Sequence, residues 1–304
     1  MKISTNEYFQ KMSKYITDQQ SNIAQTQLKL AKGDALAQPS DNTKIATSSL
    51  NLSSTIKRQE SYVSNLQLLD MKLSQTETLS VAARDQVTRI KELLIRSANG
   101  TYSNEDKKIM AFEISQIKDD LLNIVNSTDS SGNYIFSGIK NRTRPYYKDE
   151  QGLIQFQGDN TAIDIQVGPG QSMRSNSTSE DIFPSFRREG SDTVVQVFRA
   201  LEDMELAVNN SDSAGIQKGM ADINIIGNNL DAFIVSLGTR RNIIESRIDV
   251  SQDRILAMNK LYSNYRDLDY GKAVSSLSSQ MLSLEAAQSS IAKVSQLTLF
   301  NYIK

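Results

Sequence analysis

The sequence holds no cysteine, no histidine and no tryptophan. Those zeros exclude a disulfide framework, a Cys/His zinc site, a thiol nucleophile and any Ser-His or Cys-His relay. Asp, Glu, Lys, Tyr, Ser and Thr are left for acid–base or nucleophilic chemistry, and no cofactor or metal motif is present. An excess of either charge is missing too. With 34 Lys and Arg against 35 Asp and Glu in 304 residues, there is no basic stripe to release counterions from phosphate, so no nucleic-acid partner is expected. Long apolar runs are also lacking. The longest are four residues, such as Ile109–Phe112 and Ala232–Val235, too short to insert into a membrane. The opening Met1-Lys2-Ile3-Ser4-Thr5-Asn6-Glu7 has no apolar stretch of the kind a secretory signal needs. That makes the cytoplasm the default compartment, although a cysteine-free chain suits an oxidising exterior equally.

Only 38% of residues are hydrophobic, too few to fill one large compact core. An elongated molecule with a thin core is the expectation. Proline is scarce as well: the four prolines stand at 39, 145, 169 and 184. Residues 40–144 and the stretch after 184 are therefore free of the strongest helix breaker, and both carry helical periodicity.

In the N-terminal stretch Phe9, Ile16, Ile23 and Leu30 recur in sevens, with Met12, Gln19 and Thr26 three positions further on. This is a heptad seam whose second row is largely polar. Gly33 suits a helix C-cap, and Ser40 or Asp41 suits the next N-cap. A second seam runs through Ile45, Leu52, Ile56, Val63, Leu66, Leu69, Leu73, Val87, Ile90 and Leu94. A helix over residues 45–97 would be about 80 Å long. Ser103 with Asp106 forms a capping box ahead of a helix presenting Met110, Ile114, Ile117, Leu121 and Ile124.

The middle changes character. Tyr134-Ile135-Phe136, Leu153–Phe156 and the alternating Ile163, Ile165 and Val167 predict a small antiparallel β insertion over residues 133–187. Helical spacing returns at Val194, Val197, Phe198 and Leu201, breaks around 209–214, and continues to Tyr262. In the last stretch Val274, Met281, Gln288 and Ser295 run beside Leu277, Leu284, Ile291 and Thr298, again in sevens.

The fold class expected is mainly α with a small β insertion: an antiparallel helical bundle or coiled coil of the N- and C-terminal halves, with the β part at the far end. Three regions follow: 1–44 plus 263–304 as a terminal coiled coil, 45–132 plus 188–262 as a helical rod, and 133–187 as the β domain. Near the termini two diluted seams cover each other poorly. Either the ends fray as termini do, or they order when neighbouring copies bury the remaining stripe. The length of both seams favours the second.

Several motifs now stand in order. They are Leu30-Ala31-Lys32-Gly33 with Gln38-Pro39-Ser40-Asp41; Asn99-Gly100-Thr101 with Ser103 and Asp106; Asn126–Asp129; Gly132-Asn133-Tyr134-Ile135-Phe136-Ser137-Gly138; and Phe156-Gln157-Gly158-Asp159. Near the C-terminus come Leu268-Asp269-Tyr270, Leu284-Glu285-Ala286-Ala287 and Leu299-Phe300-Asn301-Tyr302. In this order and over nearly the whole chain they resemble the flagellin-like axial proteins of bacterial flagella. Pro39 and the Phe300-Asn301-Tyr302 ending are more similar to the members at the hook–filament junction than to flagellin itself.

The resemblance implies a structural protein, not an enzyme, exported to the flagellum as an unfolded chain through the type III apparatus without a cleaved signal. It implies a ring of copies between hook-associated protein 1 and flagellin, with an export chaperone and the export gate as transient partners, and an outward-facing β domain. The expected assembly interface is Phe9, Ile16, Ile23 and Leu30 with Val274, Leu277, Met281, Leu284, Ile291 and Phe300. A short or accessory flagellin is the alternative within the family, and a generic coiled-coil adaptor the alternative outside it. Asp119-Asp120, Glu180-Asp181 and Asp267 with Asp269 are the only candidate catalytic acids, and each reads more simply as a solvated face or loop.

Overall fold

The computed structural model describes the backbone of residues 2–188 and 193–300 and the side chains of 7–188 and 193–295. Helix accounts for 72% of the described residues. The elements in order are α1 (Lys2–Lys32), a 3-10 turn (Pro39–Asp41), α2 (Thr43–Ala98), α3 (Asn104–Val125), β1 (Tyr146–Lys148), β2 (Ile154–Phe156), β3 (Asp164–Gly168), β4 (Gln171–Arg174), α4 (Ser179–Ile182), β5 (Phe186–Arg187), β6 (Val194–Val195), α5 (Val197–Asn209), α6 (Ser213–Arg266) and α7 (Tyr270–Phe300). This is the helix-rich fold with a small β part that the residue pattern predicts. The strands form three separate antiparallel pairs, β1–β2, β3–β4 and β5–β6. The chain divides into two compact units, one of residues 1–59 with 253–304, the other of residues 60–252.

The 60–252 unit holds the main core. Along α2 the inward row is Leu66, Leu69, Leu73, Thr76, Ser80, Ala83, Val87, Ile90, Leu94 and Ser97, all buried at steps of three and four. The three hydroxyls in that row need no outside partner. Thr76 donates to the Lys72 carbonyl, Ser80 to that of Thr76 and Ser97 to that of Leu94, which is how such residues are buried inside a helix. Against this row pack Ile114 and Leu121 of α3, Leu201 and Met204 of α5, and Ile216, Ile223, Ile226 and Leu230 of α6. Four helical faces close on one another.

The capping box before α3 is formed: Ser103 Oγ accepts from the Asp106 amide at 3.2 Å, and Asp106 accepts from the Ser103 amide at 3.0 Å. Helical spacing at Val194 is not realised. Val194 and Val195 pair with Arg187 and Phe186 as β6, and helix resumes at Val197. Tyr134–Phe136 is likewise no strand. Tyr134 makes only a single bridge to Thr128, and Phe136 turns inward, fully buried. Both misreadings come from short apolar stretches, Val194-Val195 and Tyr134-Ile135-Phe136, too brief to show a period.

The β3–β4 hairpin lies on α2 and α6. Val167 joins Leu66, Leu69, Leu73, Leu237 and Ile244 in a second apolar cluster. Polar ties hold the hairpin there: Asn65 donates to the Gln166 carbonyl at 2.7 Å, and Arg240 to the Arg174 carbonyl at 2.6 Å. Arg188 bridges Asp222 of α6 at 2.7 Å and Asp203 of α5 at 2.6 Å. Burial pushes the Asp222 carboxyl above its ordinary value even so.

Loops in this region are organised by single carboxylates. Asp129 accepts from the Ser131 and Asn133 amides, Asp149 from those of Gln151 and Leu153, and Asp159 from that of Thr161. Hydrogen bonding holds all three carboxyls below their usual range. Two of the motifs quoted above meet at one point: the Asp159 amide donates to the Ser137 carbonyl at 3.1 Å. Gly138 sits there with φ +66, and a Cβ on it would stand 1.9 Å from the Asp159 carbonyl oxygen.

Gly138→Ala should therefore be strongly destabilising, because backbone meets backbone and neither side chain can yield. We expect a loss of about 1–3 kcal/mol in urea unfolding of the 60–252 unit. Gly100→Ala is the control: its Cβ has open space and should change stability by no more than about 0.5 kcal/mol. Equal effects of the two substitutions would refute the close-approach argument.

Candidate assembly surface

The 1–59/253–304 unit is built from α1, α7 and the collar joining them. Gly33 closes α1 in the left-handed conformation (φ +71), its amide donating to the Lys29 carbonyl at 2.8 Å. The chain then pairs with the α6–α7 connection. Ala35 donates to the Arg266 carbonyl at 2.8 Å and Leu268 to the Gly33 carbonyl at 2.9 Å, making an antiparallel bridge of Asp34 with Asp267. Motifs from opposite ends of the sequence are thus in contact. The Asp34 carboxylate accepts from both Arg266 Nε (2.9 Å) and Nη2 (3.1 Å). That guanidinium holds the Asp34 carboxyl below its ordinary value.

Asp41 accepts from the Ala37 and Gln38 amides and shapes the 3-10 turn. The cap of α2 falls one residue later than Ser40 or Asp41: Asn42 Oδ1 accepts from the Ile45 amide at 3.1 Å. Either residue type can fill an N-cap, and the pull of the Ala37 and Gln38 amides on Asp41 decides between them.

α1 and α7 pack antiparallel. Phe9, Met12, Ile16, Gln19, Ile23, Thr26 and Leu30 are the half-buried row of α1, and no residue from 7 to 32 is fully buried. On α7 the inward row is Ala273, Leu277, Gln280, Leu284, Ala287 and Ile291, and only the two alanines are fully buried. The polar members pair with each other, Thr26 Oγ1 donating to Gln280 Oε1 at 3.1 Å.

Six of the anticipated interface residues therefore lie in the seam on the two rows: Phe9, Ile16, Ile23 and Leu30 with Leu277 and Leu284. Ile291 continues the α7 row. Val274 and Met281 do not join it. They are 52% and 53% exposed, one position past Ala273 and Gln280, which occupy the seam. Phe300 ends α7, and its side chain lies outside the described residues, as do Asn301 and Tyr302.

Ala273, Gln280 and Ala287 are the seam residues that sequence reasoning passed over. Their signal was a step of seven in small and polar residues, hidden beside the bulkier Val274 and Met281. Leu282 stands next to Met281 and is 69% exposed. Among the described residues this leaves α7 with a second, outward apolar strip.

The suspected acids are occupied structurally. Asp119 pairs with Lys148, and Asp181 accepts from the Thr178 amide and pairs with Arg174. Asp269 accepts from the Lys272 amide at the start of α7. Among the described residues no cluster of three or more potential ligands could hold a metal, and no helix is long and apolar enough to cross a membrane.

Residues 3–141 match the family model of the bacterial flagellin N-terminal helical region. Over 100% of both chains, the sequence is 26% identical to flagellar hook-associated protein 3 of Escherichia coli K12. It is 25% identical over 99% of both chains to the protein of the same name from Salmonella typhimurium LT2. The chain resembles flagellar hook-associated protein 3 from end to end. The fold agrees: the crystal structure of hook-associated protein 3 from Legionella pneumophila superposes with a TM-score of 0.63 at 17% identity, covering 70% of this chain and 97% of that one. Both collar motifs and both helices of the seam lie within the span shared with the two hook-associated protein 3 relatives.

Because the folded value of the Asp34 carboxyl is lowered, its contribution is complete above the ordinary value of 3.8 and is lost as pH falls through the lowered one. Hydrogen-exchange protection of the Leu268 amide should drop on acidification through that range. In Asp34→Asn the protection should be lower at neutral pH and should show much less of this acid step. An identical acid step in both proteins would contradict the role given to the Asp34–Arg266 pair.

Proposed function

We propose that this chain is a structural, non-catalytic protein of the bacterial flagellum, forming a ring that joins the hook to the flagellin filament. Similarity to hook-associated protein 3 along the entire chain supports the junction role over that of a short or accessory flagellin. The observation that carries self-assembly is the α1–α7 pair, whose seam is only half-buried except at Ala273 and Ala287 while Val274, Met281 and Leu282 face outward. A helix pair with apolar strips on two faces can satisfy only one of them alone.

In this reading residues 1–44 with 263–304 are the assembly domain, 45–132 with 188–262 the rod, and 133–187 the outward-facing β domain. Phe9, Ile16, Ile23, Leu30, Val274, Leu277, Met281, Leu284, Ile291 and Phe300 form the assembly interface. Hook-associated protein 1 lies below the ring and flagellin above it. An export chaperone and the export gate handle the chain on its way to the cell exterior, and no signal peptide is cleaved. The absence of cysteine suits that route, since the unfolded chain has no thiol to misoxidise.

Deleting the gene from its host should give hooks without filaments and flagellin shed into the medium. Filaments that persist would instead favour the accessory-flagellin reading. At residue level, Ile23→Asp or Leu284→Asp places an uncompensated charge in the seam. Each should leave the thermal unfolding of the 60–252 unit unchanged while abolishing incorporation into flagella. Normal incorporation of both variants would remove the seam from the mechanism.

A further inference from the structure

Beside the collar is a cleft of about 320 Å³ lined by Lys32, Leu36, Pro39, Ala46, Ser49 and Leu50, with Tyr262 and Arg266 behind. At ~30 Å³ per water it would hold on the order of ten. Its walls are mostly apolar, and Leu50 at its mouth is 69% exposed. One polar atom is out of place: Ser49 is more than nine-tenths buried, and its hydroxyl has no hydrogen-bond partner. A buried hydroxyl left in this state is costly, and it stands in the wall of the cleft.

We propose that this cleft receives Leu282 of a second copy of the chain. This deepens the ring reading and rests on it. Leu282 cannot reach the cleft of its own molecule. Arg266 borders the cleft, α7 starts at Tyr270, and Leu282 lies twelve residues along that helix, about 18 Å away. Its surroundings complement the cleft. Ser278 and Ser279 flank it one turn earlier, small side chains that leave the leucine free to enter the cleft. Glu285, the one carboxylate of α7, stands one turn later, opposite in charge to Lys32 at the rim, where the only carboxylate of the cleft lining, Asp34, is already paired with Arg266. Donor and acceptor patches are different parts of each copy, so the contact is head-to-tail, the type that closes into rings.

The chain has no cysteine, so introduced thiols are the only ones in this protein. Co-expressing Leu50→Cys and Leu282→Cys chains in the host and oxidising the isolated flagella should give a dimer-sized disulfide product, severalfold above a Leu50→Cys with Ile109→Cys control. Bridging needs Cα atoms within about 7 Å. Lys32→Glu and Glu285→Lys should each reduce incorporation, and the double variant should restore it, a rescue that a folding defect would not produce.

Chains that enter flagella normally but yield no product above the control, or a thiol link to a protein of another size, overturn this contact and leave the junction reading intact. A wild-type chain absent from isolated flagella overturns the junction reading itself.

Discussion

Two helices packed side by side can each hide one stripe, and the rest of each surface meets water. That constraint governs the α1–α7 pair. The contrast with the 60–252 unit makes it plain, because there the inward row of α2 is covered from several directions and is buried residue after residue. α1 has a comparable heptad pattern, yet none of its residues from 7 to 32 is buried. The difference lies in the number of neighbours more than in the pattern. The polar members of the seam fit this situation. Gln19, Thr26 and Gln280 tolerate partial exposure where leucines would not, and a direct Thr26–Gln280 hydrogen bond replaces apolar contact at the centre.

The helical part was legible because long seams repeat. The row on α2 could be read at Leu66, Leu69, Leu73, Val87, Ile90 and Leu94, with Thr76, Ser80 and Ala83 completing it once hydroxyls are allowed to bond back along their own helix. The same logic misled on α7, where counting the largest side chains selected Val274 and Met281. Small residues let two helices approach closely, and in an isolated pair closeness substitutes for bulk, so Ala273 and Ala287 took the seam. The β part was legible only in outline. β1 follows Pro145 in a three-residue strand, and β5–β6 spans two residues on each side, lengths at which alternation cannot be distinguished from chance.

The quoted motifs proved to be contacts between segments distant in sequence more than local signals. The Gly33 segment pairs with Leu268, and the Gly138 turn is pressed against Asp159. In both places a glycine in the left-handed region allows a close approach, of the Tyr270 hydroxyl to Gly33 and of the Asp159 backbone to Gly138. Residue patterns can show that a glycine is needed without showing what it touches. The Asp34–Arg266 pair was invisible for the same reason, since its members are separated by 232 positions.

A weak seam has a consequence for assembly. Were α1 and α7 to bury a full leucine row between them, the pair would be complete alone, and copies would gain little from joining. Were the outward strip of Val274, Met281 and Leu282 much larger, solitary chains would associate without a defined geometry. The observed compromise places modest apolar residues on two faces, a cleft with one unanswered hydroxyl at the collar, and matching charges at its rim and on α7. Each contact is small. In the proposed ring every copy would both give and receive one, so a closed arrangement would leave neither cleft nor Leu282 exposed, whereas an open chain of copies would always leave one of each. Closure of such a ring would be favoured by unsatisfied groups at the ends more than by strength at any single interface.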